Sequence, residues 1–146
     1  MTIVSIDYAP RRYFVAFHDR HQRYACIVAH RRAGKTTACI HELQRAAIRC
    51  ALPQPRFAYI APLLKQAKDI AWEVLKRAAT PLLSRGATIN ESELRVDYPN
   101  GGRVRLYGAD NPDGLRGIYL DGVVIDEPAQ INGESLWKEV LTPTLA

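Results

Sequence analysis

The run Ala29–Thr37 (AHRRAGKTT) carries residue types that bind phosphate. Gly34-Lys35-Thr36 matches the second half of the pattern G-x-x-x-x-G-K-[ST], but Ala29 stands where the first glycine is expected. Gly34 lets the backbone approach a phosphate closely, Lys35 would reach the β- and γ-phosphates, and the Thr36 hydroxyl would bind Mg²⁺. Since a bare GKT also arises by chance, this run alone leaves a basic turn without a ligand as the alternative.

A second candidate is the pair Asp126-Glu127, which directly follows the apolar run Gly122–Ile125 (GVVI). An unpaired carboxylate is costly at the end of a buried strand and fits better beside a metal ion. Asp126 would hold Mg²⁺, and Glu127 would polarise an attacking water as general base. Two carboxylates that merely cap the next turn are the alternative. Arg31 could stabilise charge on the γ-phosphate, or it could point away toward DNA or an acidic neighbour.

The segments around these residues alternate between short apolar runs and amphipathic stretches. The predicted strands are Tyr24–Ala29, Arg56–Ala61 and Gly122–Ile125, the predicted helices are Thr36–Arg49, Leu63–Ala79 and Glu134–Leu141, and the predicted hairpin joins Glu93–Tyr98 to Arg103–Tyr107. This order implies an α/β fold, with a mainly parallel central sheet flanked by helices and an inserted β-hairpin. In such sheets ligands bind at the carboxyl ends of the strands, where both candidate motifs fall.

Composition and charge limit the class of protein. The 146 residues, 47% apolar and 24% charged, predict one globular domain over residues 1–146 and exclude disorder. Twenty Lys and Arg against fifteen Asp and Glu give a net charge of +5, compatible with nucleic acid or nucleoside phosphates as partners. Cys26 and Cys39 are expected to be small core residues. The absence of a signal peptide and of a long apolar run predicts a cytoplasmic protein without membrane contact.

Four segments together resemble phage terminase large subunits. They are HRRAGKTT, AYIAPLLKQAKDIAW, YPNGGRVRLYGADNPDGLRG and GVVIDEPAQI, and the resemblance runs from Tyr8 to Leu145. It implies the family's N-terminal ATPase domain, a P-loop NTPase fold of the ASCE type, with ATP and Mg²⁺ as cofactors. Asp126 and Glu127 look like the Walker B aspartate and the catalytic glutamate. The nucleotide-binding residues implied by the family's form of Walker A are His30, Arg31, Arg32, Ala33, Gly34, Lys35, Thr36 and Thr37.

The resemblance also implies a motor that packages double-stranded DNA into capsids. Its expected partners are double-stranded DNA, a portal protein, the small terminase subunit and further copies of itself as a homo-oligomer, in the host-cell cytoplasm. The sequence departs from the family pattern at two points. No adenine-reading glutamine occurs in Pro10–His18, with Gln22 left unassigned, and the coupling motif and nuclease domain do not occur in these 146 residues. The C-terminal part of the fold is therefore expected to be missing.

Two other functions remain open from the sequence. One is a catalytically silent nucleotide- or DNA-binding fragment, and the other is a helicase-like P-loop ATPase stimulated by nucleic acid. In the loop Gly108–Gly117 (GADNPDGLRG), the glycines and Arg116 could contact nucleotide, a neighbouring subunit or DNA, or the loop could be a plain structural turn.

Overall fold

A five-stranded sheet forms the centre of the computed structural model, which describes residues 4–132, 134 and 136–142. The strands are β1 Arg56–Ala61, β2 Thr88–Asn90, β3 Arg95–Asp97, β4 Arg103–Gly108 and β5 Gly122–Ile125. Their order across the sheet is β2-β3-β4-β1-β5. β1 pairs in parallel with β4 on one side and β5 on the other, whereas β3 runs antiparallel to β2 and β4. Four strands therefore share one direction, as the α/β prediction requires.

The α-helices precede β1 in the chain or lie between β1 and β2. They are α1 Val15–His18, α2 Lys35–Arg49, α3 Leu64–Ala67 and α4 Glu73–Ala79. A π-helical segment, Lys68–Trp72, joins α3 to α4, and 3₁₀ turns occupy Arg12–Phe14, Thr80–Arg85, Pro112–Leu115 and Pro128–Gln130. A second π-helical segment covers Leu136–Leu141. The predicted helices α2 and Leu63–Ala79 are confirmed, while residue 135 of the predicted Glu134–Leu141 helix lies outside the described residues.

Both faces of β1 are covered because this strand is central. Successive side chains of a strand point to opposite faces, so Phe57 and Tyr59 face the core formed with α2 and α4, which contains Trp72. Ala58 and Ile60 face a second, smaller core on the other side. Burial on both faces explains why the strand is a continuous apolar run without alternation.

The predicted hairpin is present but is part of the main sheet. β3 and β4 pair antiparallel as expected, and β4 then pairs along its whole length with β1, from Arg56 opposite Arg103 to Ala61 opposite Gly108. β2, which the sequence did not predict, extends the sheet beyond β3. The hairpin is thus no separate insertion, and its second strand carries the loop 109–117 to the carboxyl edge of the sheet.

The prediction of a buried strand at residues 24–29 is wrong. This segment pairs with no described strand, and most of it is exposed: Val28 is 94% and Tyr24 64% accessible. An apolar run favours burial, but a strand also needs a neighbour to accept and donate its backbone hydrogen bonds. Within the described residues, β5 pairs only with β1 and leaves its other edge open. Cys26, expected in the core, is consequently exposed.

Among the described residues, no helix combines the length and apolarity needed to cross a membrane.

Candidate nucleotide-binding site

The loop 30–35 adopts a turn that opens directly into α2. Gly34 precedes the helix with φ +94°, a left-handed conformation that glycine adopts without steric cost. The Ala33 N–H donates to the His30 carbonyl at 3.3 Å and closes the turn. Lys35 extends back over the loop, and its Nζ donates to the Ala29 carbonyl oxygen at 2.7 Å. The lysine ammonium therefore lies over the loop that opens α2, and a helix start with a cation beside it suits an anion.

Arg11 and Tyr13, in the N-terminal segment (residues 8–20), donate hydrogen bonds to the backbone of this loop. No pattern in the sequence singles them out. Arg11 Nη1 donates to the carbonyl oxygens of Arg32 at 3.2 Å and Ala33 at 2.9 Å. The Tyr13 hydroxyl donates to the same Ala33 oxygen at 2.8 Å. Because the peptide bond is trans and planar, fixing the Ala33 carbonyl directs the Gly34 N–H the opposite way. The contacts span twenty or more residues, and only the fold reveals them.

The carboxyl end of β5 brings Asp126 to the start of α2. The Asp126 N–H continues the sheet by donating to the Ile60 carbonyl at 2.8 Å. Its carboxylate Oδ2 accepts a hydrogen bond of 2.7 Å from the Tyr59 hydroxyl. The Thr36 side chain acts on the same phenol and opposes the rise of its pKa. The two predicted Mg²⁺ ligands therefore both lie near Tyr59, although they are far apart in the sequence.

The donor set fits Mg²⁺ in a site completed by other ligands. The described residues include no group of three or more His, Cys, Asp or Glu side chains that could hold a metal by themselves. Mg²⁺ usually takes one or two protein oxygens and completes its octahedron with phosphate oxygens and water. The Thr36 hydroxyl and the Asp126 carboxylate supply two such oxygens beside a loop suited to phosphate.

The remaining candidate residues are exposed. Glu127 follows Asp126 with φ +47°, an uncommon conformation for a residue with a side chain, and begins the 3₁₀ turn Pro128–Gln130. Arg31 and Arg32 lie at the tip of the loop, Arg32 with φ +63°. The structure gives neither arginine a side-chain contact with Asp126 or Glu127 within the described residues. Thr37 is likewise exposed on the first turn of α2.

The electrostatics behind the loop reflect the Asp126 carboxylate. Burial is the main cause that raises the pKa of the Cys39 thiol to about 11, and the negative charge of Asp126 adds to it. Burial and the hydrogen bond to Asp126 also raise the pKa of the Tyr59 phenol, so that it stays protonated. Cys39 and Tyr59 are thus neutral groups that line the inner side of the site.

A charged cluster fastens the N-terminal segment to α2. Glu42, on α2, accepts hydrogen bonds from His18 Nδ1 at 2.7 Å and Arg20 Nη1 at 3.0 Å, and it forms an ion pair with Arg45 at 2.9 Å. The other ring nitrogen of His18 is hydrogen-bonded to the Tyr8 hydroxyl at 2.8 Å. Burial alone would raise the pKa of Glu42, but the hydrogen bonds from His18 and Arg45 outweigh it and lower the pKa.

The loop 108–117 has structural roles at three of its motif residues. The Asp110 carboxylate accepts from the Leu64 N–H at 3.1 Å, at the first residue of α3, and the Asn111 side chain accepts from the Gly114 N–H. A side chain at Gly108 would collide with Asp110 and with the Leu64 backbone. These contacts favour the structural alternative for Gly108, Asp110 and Asn111. Arg116, at 58% side-chain exposure, pairs with Asp113 at 3.5 Å.

A cavity of about 660 Å³ opens beside the phosphate-loop candidate. Residues 24–30 form much of its wall, together with Tyr13, Ala33 and Gln22. Gln22 thus lines the same cavity as His30 and Ala33; the sequence left it unassigned because it lies so near the strand predicted at residues 24–29.

Comparison with known proteins places these features in a family. No protein-family model matches the chain. The chain is 31% identical over 160 residues to the large terminase subunit of Thermus virus P23-45. That alignment covers 97% of this chain and 32% of the relative, so the chain spans about a third of the length of the curated protein that it matches.

Solved structures lead to the same family. The large terminase ATPase domain of Thermus phage P74-26 superimposes with a TM-score of 0.76 at 26% identity, over 95% of this chain and 61% of that one. The large terminase of another thermophilic bacteriophage, solved in complex with ADP, shares the fold with a TM-score of 0.57 at 23% identity, over 76% of this chain and 28% of that one. The chain therefore belongs to the family of phage terminase large subunits, and it corresponds to their ATPase domain.

Proposed function

We propose that this chain binds ATP with Mg²⁺ at the loop 30–37 and hydrolyses it, as the motor domain of a terminase that packages double-stranded DNA into capsids. The observation that carries the proposal is the position of Thr36 and Asp126 beside one phenol, next to a loop whose lysine folds back onto the Ala29 carbonyl. Homology to terminase ATPase domains supports it, as do the complexes of a thermophilic bacteriophage's large terminase with ADP and ATP-γ-S.

Each residue has a distinct role in the proposed reaction. Lys35 leaves the Ala29 carbonyl and binds the β- and γ-phosphates, which offer the ammonium a full negative charge where the carbonyl has only a partial one. Thr36 and Asp126 hold Mg²⁺, which neutralises charge on the phosphate oxygens. Glu127 accepts the proton of the attacking water. Arg31 stabilises the charge that develops on the transferred phosphoryl group.

The proposed partners follow from the family and not from a contact in the structure. They are double-stranded DNA, the portal protein, the small terminase subunit and further copies of this chain in a homo-oligomer. The chain's net charge of +5 is compatible with DNA. Because the chain spans about a third of its curated relative, packaging is proposed for the assembled protein.

Nucleotide binding is tested by calorimetric titration of the purified chain with Mg-ATP. We expect saturable binding that Lys35→Ala weakens at least about tenfold, because the variant loses a charge-assisted contact to the phosphates. Lys65→Ala is the matched control, since Lys65 is an exposed lysine on α3 outside the site. Equal affinity of Lys35→Ala and wild type would refute the loop as the phosphate site.

Hydrolysis is tested separately by phosphate release, with and without double-stranded DNA. We expect turnover that Glu127→Gln reduces by about 10²–10⁴-fold, the usual contribution of a general base, while ATP binding is retained. Binding without any turnover in wild type would instead support the silent nucleotide-binding module.

A further inference from the structure

Tyr59 contacts one of the two proposed Mg²⁺ ligands, Asp126, and lies near the other, Thr36. The residue is 1% exposed, and its hydroxyl donates to Asp126 Oδ2 at 2.7 Å. The Thr36 side chain also acts on this phenol and lowers its pKa, while burial and the hydrogen bond to Asp126 raise it. The phenol therefore links β1 to the end of β5 by a hydrogen bond, with the first turn of α2 beside it.

The position of Tyr59 in the sheet makes this contact possible. Side-chain alternation along β1 places Tyr59 on the same face as α2, with its ring in the main core. Val124 on β5 is its register partner, two residues before Asp126. The ring is thus fixed by packing, and the hydroxyl at its tip reaches the carboxyl edge of the sheet. A phenol has few rotatable bonds, so the packed ring holds the hydroxyl in a defined position against Asp126.

The hydrogen bond from Tyr59 orients the Asp126 carboxylate in a way that suits a cation. A carboxylate with Oδ2 engaged by Tyr59 leaves Oδ1 for the metal or for a metal-bound water. Groups that orient metal ligands in this manner commonly change metal affinity by about 10–100-fold.

We propose that Tyr59 is a positioning residue for Mg²⁺ in this site, acting through the Asp126 carboxylate. The inference rests on the proposed nucleotide site and specifies how that site orients its carboxylate ligand. It concerns a residue of the central strand that neither phosphate-loop motif nor carboxylate pair contains.

The test compares Tyr59→Phe with a matched control, Tyr98→Phe. Tyr98 is 4% exposed, and its hydroxyl donates to Gln44 at 3.0 Å, away from the loop. Each variant loses one buried hydroxyl and keeps its ring. ADP binding is measured in EDTA and across a Mg²⁺ titration, and Mn²⁺ binding to the ADP complex is followed by electron paramagnetic resonance. Urea denaturation establishes that all three proteins are compared in the folded state.

We expect Tyr59→Phe to bind ADP as wild type does in EDTA, but to need about 10–100-fold more Mg²⁺ or Mn²⁺ for half-saturation. Tyr98→Phe should keep the wild-type midpoint. An unchanged or lower midpoint in Tyr59→Phe would overturn the proposal, and so would an equal shift in both variants. If wild type binds no ADP at all, the proposed function fails. If wild type binds ADP and Tyr59→Phe has the same metal midpoint, only the proposed role of Tyr59 fails.

A double-mutant cycle with Asp126→Asn gives a second, independent check. Because Tyr59 acts through this carboxylate, Tyr59→Phe should raise the metal midpoint less in the Asp126→Asn background than in wild type. Fully additive shifts would show that the two side chains act independently and would overturn the coupling that the hydrogen bond implies.

Discussion

The Glu42→Gln substitution tests how the N-terminal segment is held against α2. The carboxylate is 14% exposed and is surrounded by three nitrogen donors, from His18, Arg20 and Arg45. Gln keeps the shape but removes the charge, and its amide N–H₂ then faces groups that also donate. The substitution therefore weakens several charge-assisted hydrogen bonds at once. The same N-terminal segment contains Arg11 and Tyr13, which donate hydrogen bonds to the phosphate-loop candidate.

The expected cost follows from the number and exposure of these bonds. A hydrogen bond to a charged group contributes about 1.5–3 kcal/mol when buried. Arg20 and Arg45 are 25% and 38% exposed, so water partly replaces what they lose. His18, at 9% exposure, cannot recover its bond in this way. We expect a loss of about 2 kcal/mol in the free energy of unfolding, or about 4–8 °C in Tm for a chain of this size.

The pH dependence gives the decisive measurement. The pKa of Glu42 is lowered in the folded state, so its stabilising effect is complete above its ordinary value of 4.5 and is lost as pH falls through the lower folded pKa. Urea denaturation should thus show the full difference between wild type and Glu42→Gln at pH 7, and a shrinking one below about pH 4.5. The control is Glu73→Gln, whose carboxylate is 71% exposed beside Lys76 and should show no measurable change. A difference that stays constant down to acid pH would refute the electrostatic explanation.

Two further predictions concern close packing and thiol reactivity. Gly108→Ala should lower the free energy of unfolding by about 2–3 kcal/mol, because the new methyl would lie 2.8 Å from the Leu64 Cα and closer still to two polar atoms. Gly117→Ala, which has open space but φ +76°, should lower it by about 1 kcal/mol. Similar urea midpoints for the two variants would contradict this difference. At pH 8 the Cys39 thiol, with its pKa near 11, should hold about 100-fold less thiolate than one at the ordinary 9.0. Alkylation followed by peptide mass spectrometry should therefore label exposed Cys26 long before Cys39, and equal labelling rates would show that Cys39 is accessible and ionised.

Local patterns determined much of this fold. The step of three and four residues predicted α2 almost to its ends, because an amphipathic helix shows its period in any context. The apolar runs of β1 and β5 were also identified correctly, and Asn100-Gly101 marked the hairpin. The motif residues likewise named the side chains that are proposed to bind phosphate and Mg²⁺.

Sheet membership and long-range contacts were decided by the tertiary structure. Residues 24–29 have the composition of a strand, yet a strand exists only where a neighbouring backbone pairs with it, and no described strand does so. The hydrogen bond between Tyr59 and Asp126 joins residues 67 apart in the chain, and no periodic pattern encodes such a pair. The sequence by itself therefore determined the helices and the central strands, and it named the residues proposed to bind phosphate, since these patterns depend on neighbours along the chain. Only the fold decided that a phenol from the central strand meets Asp126, because that contact depends on which strands lie side by side.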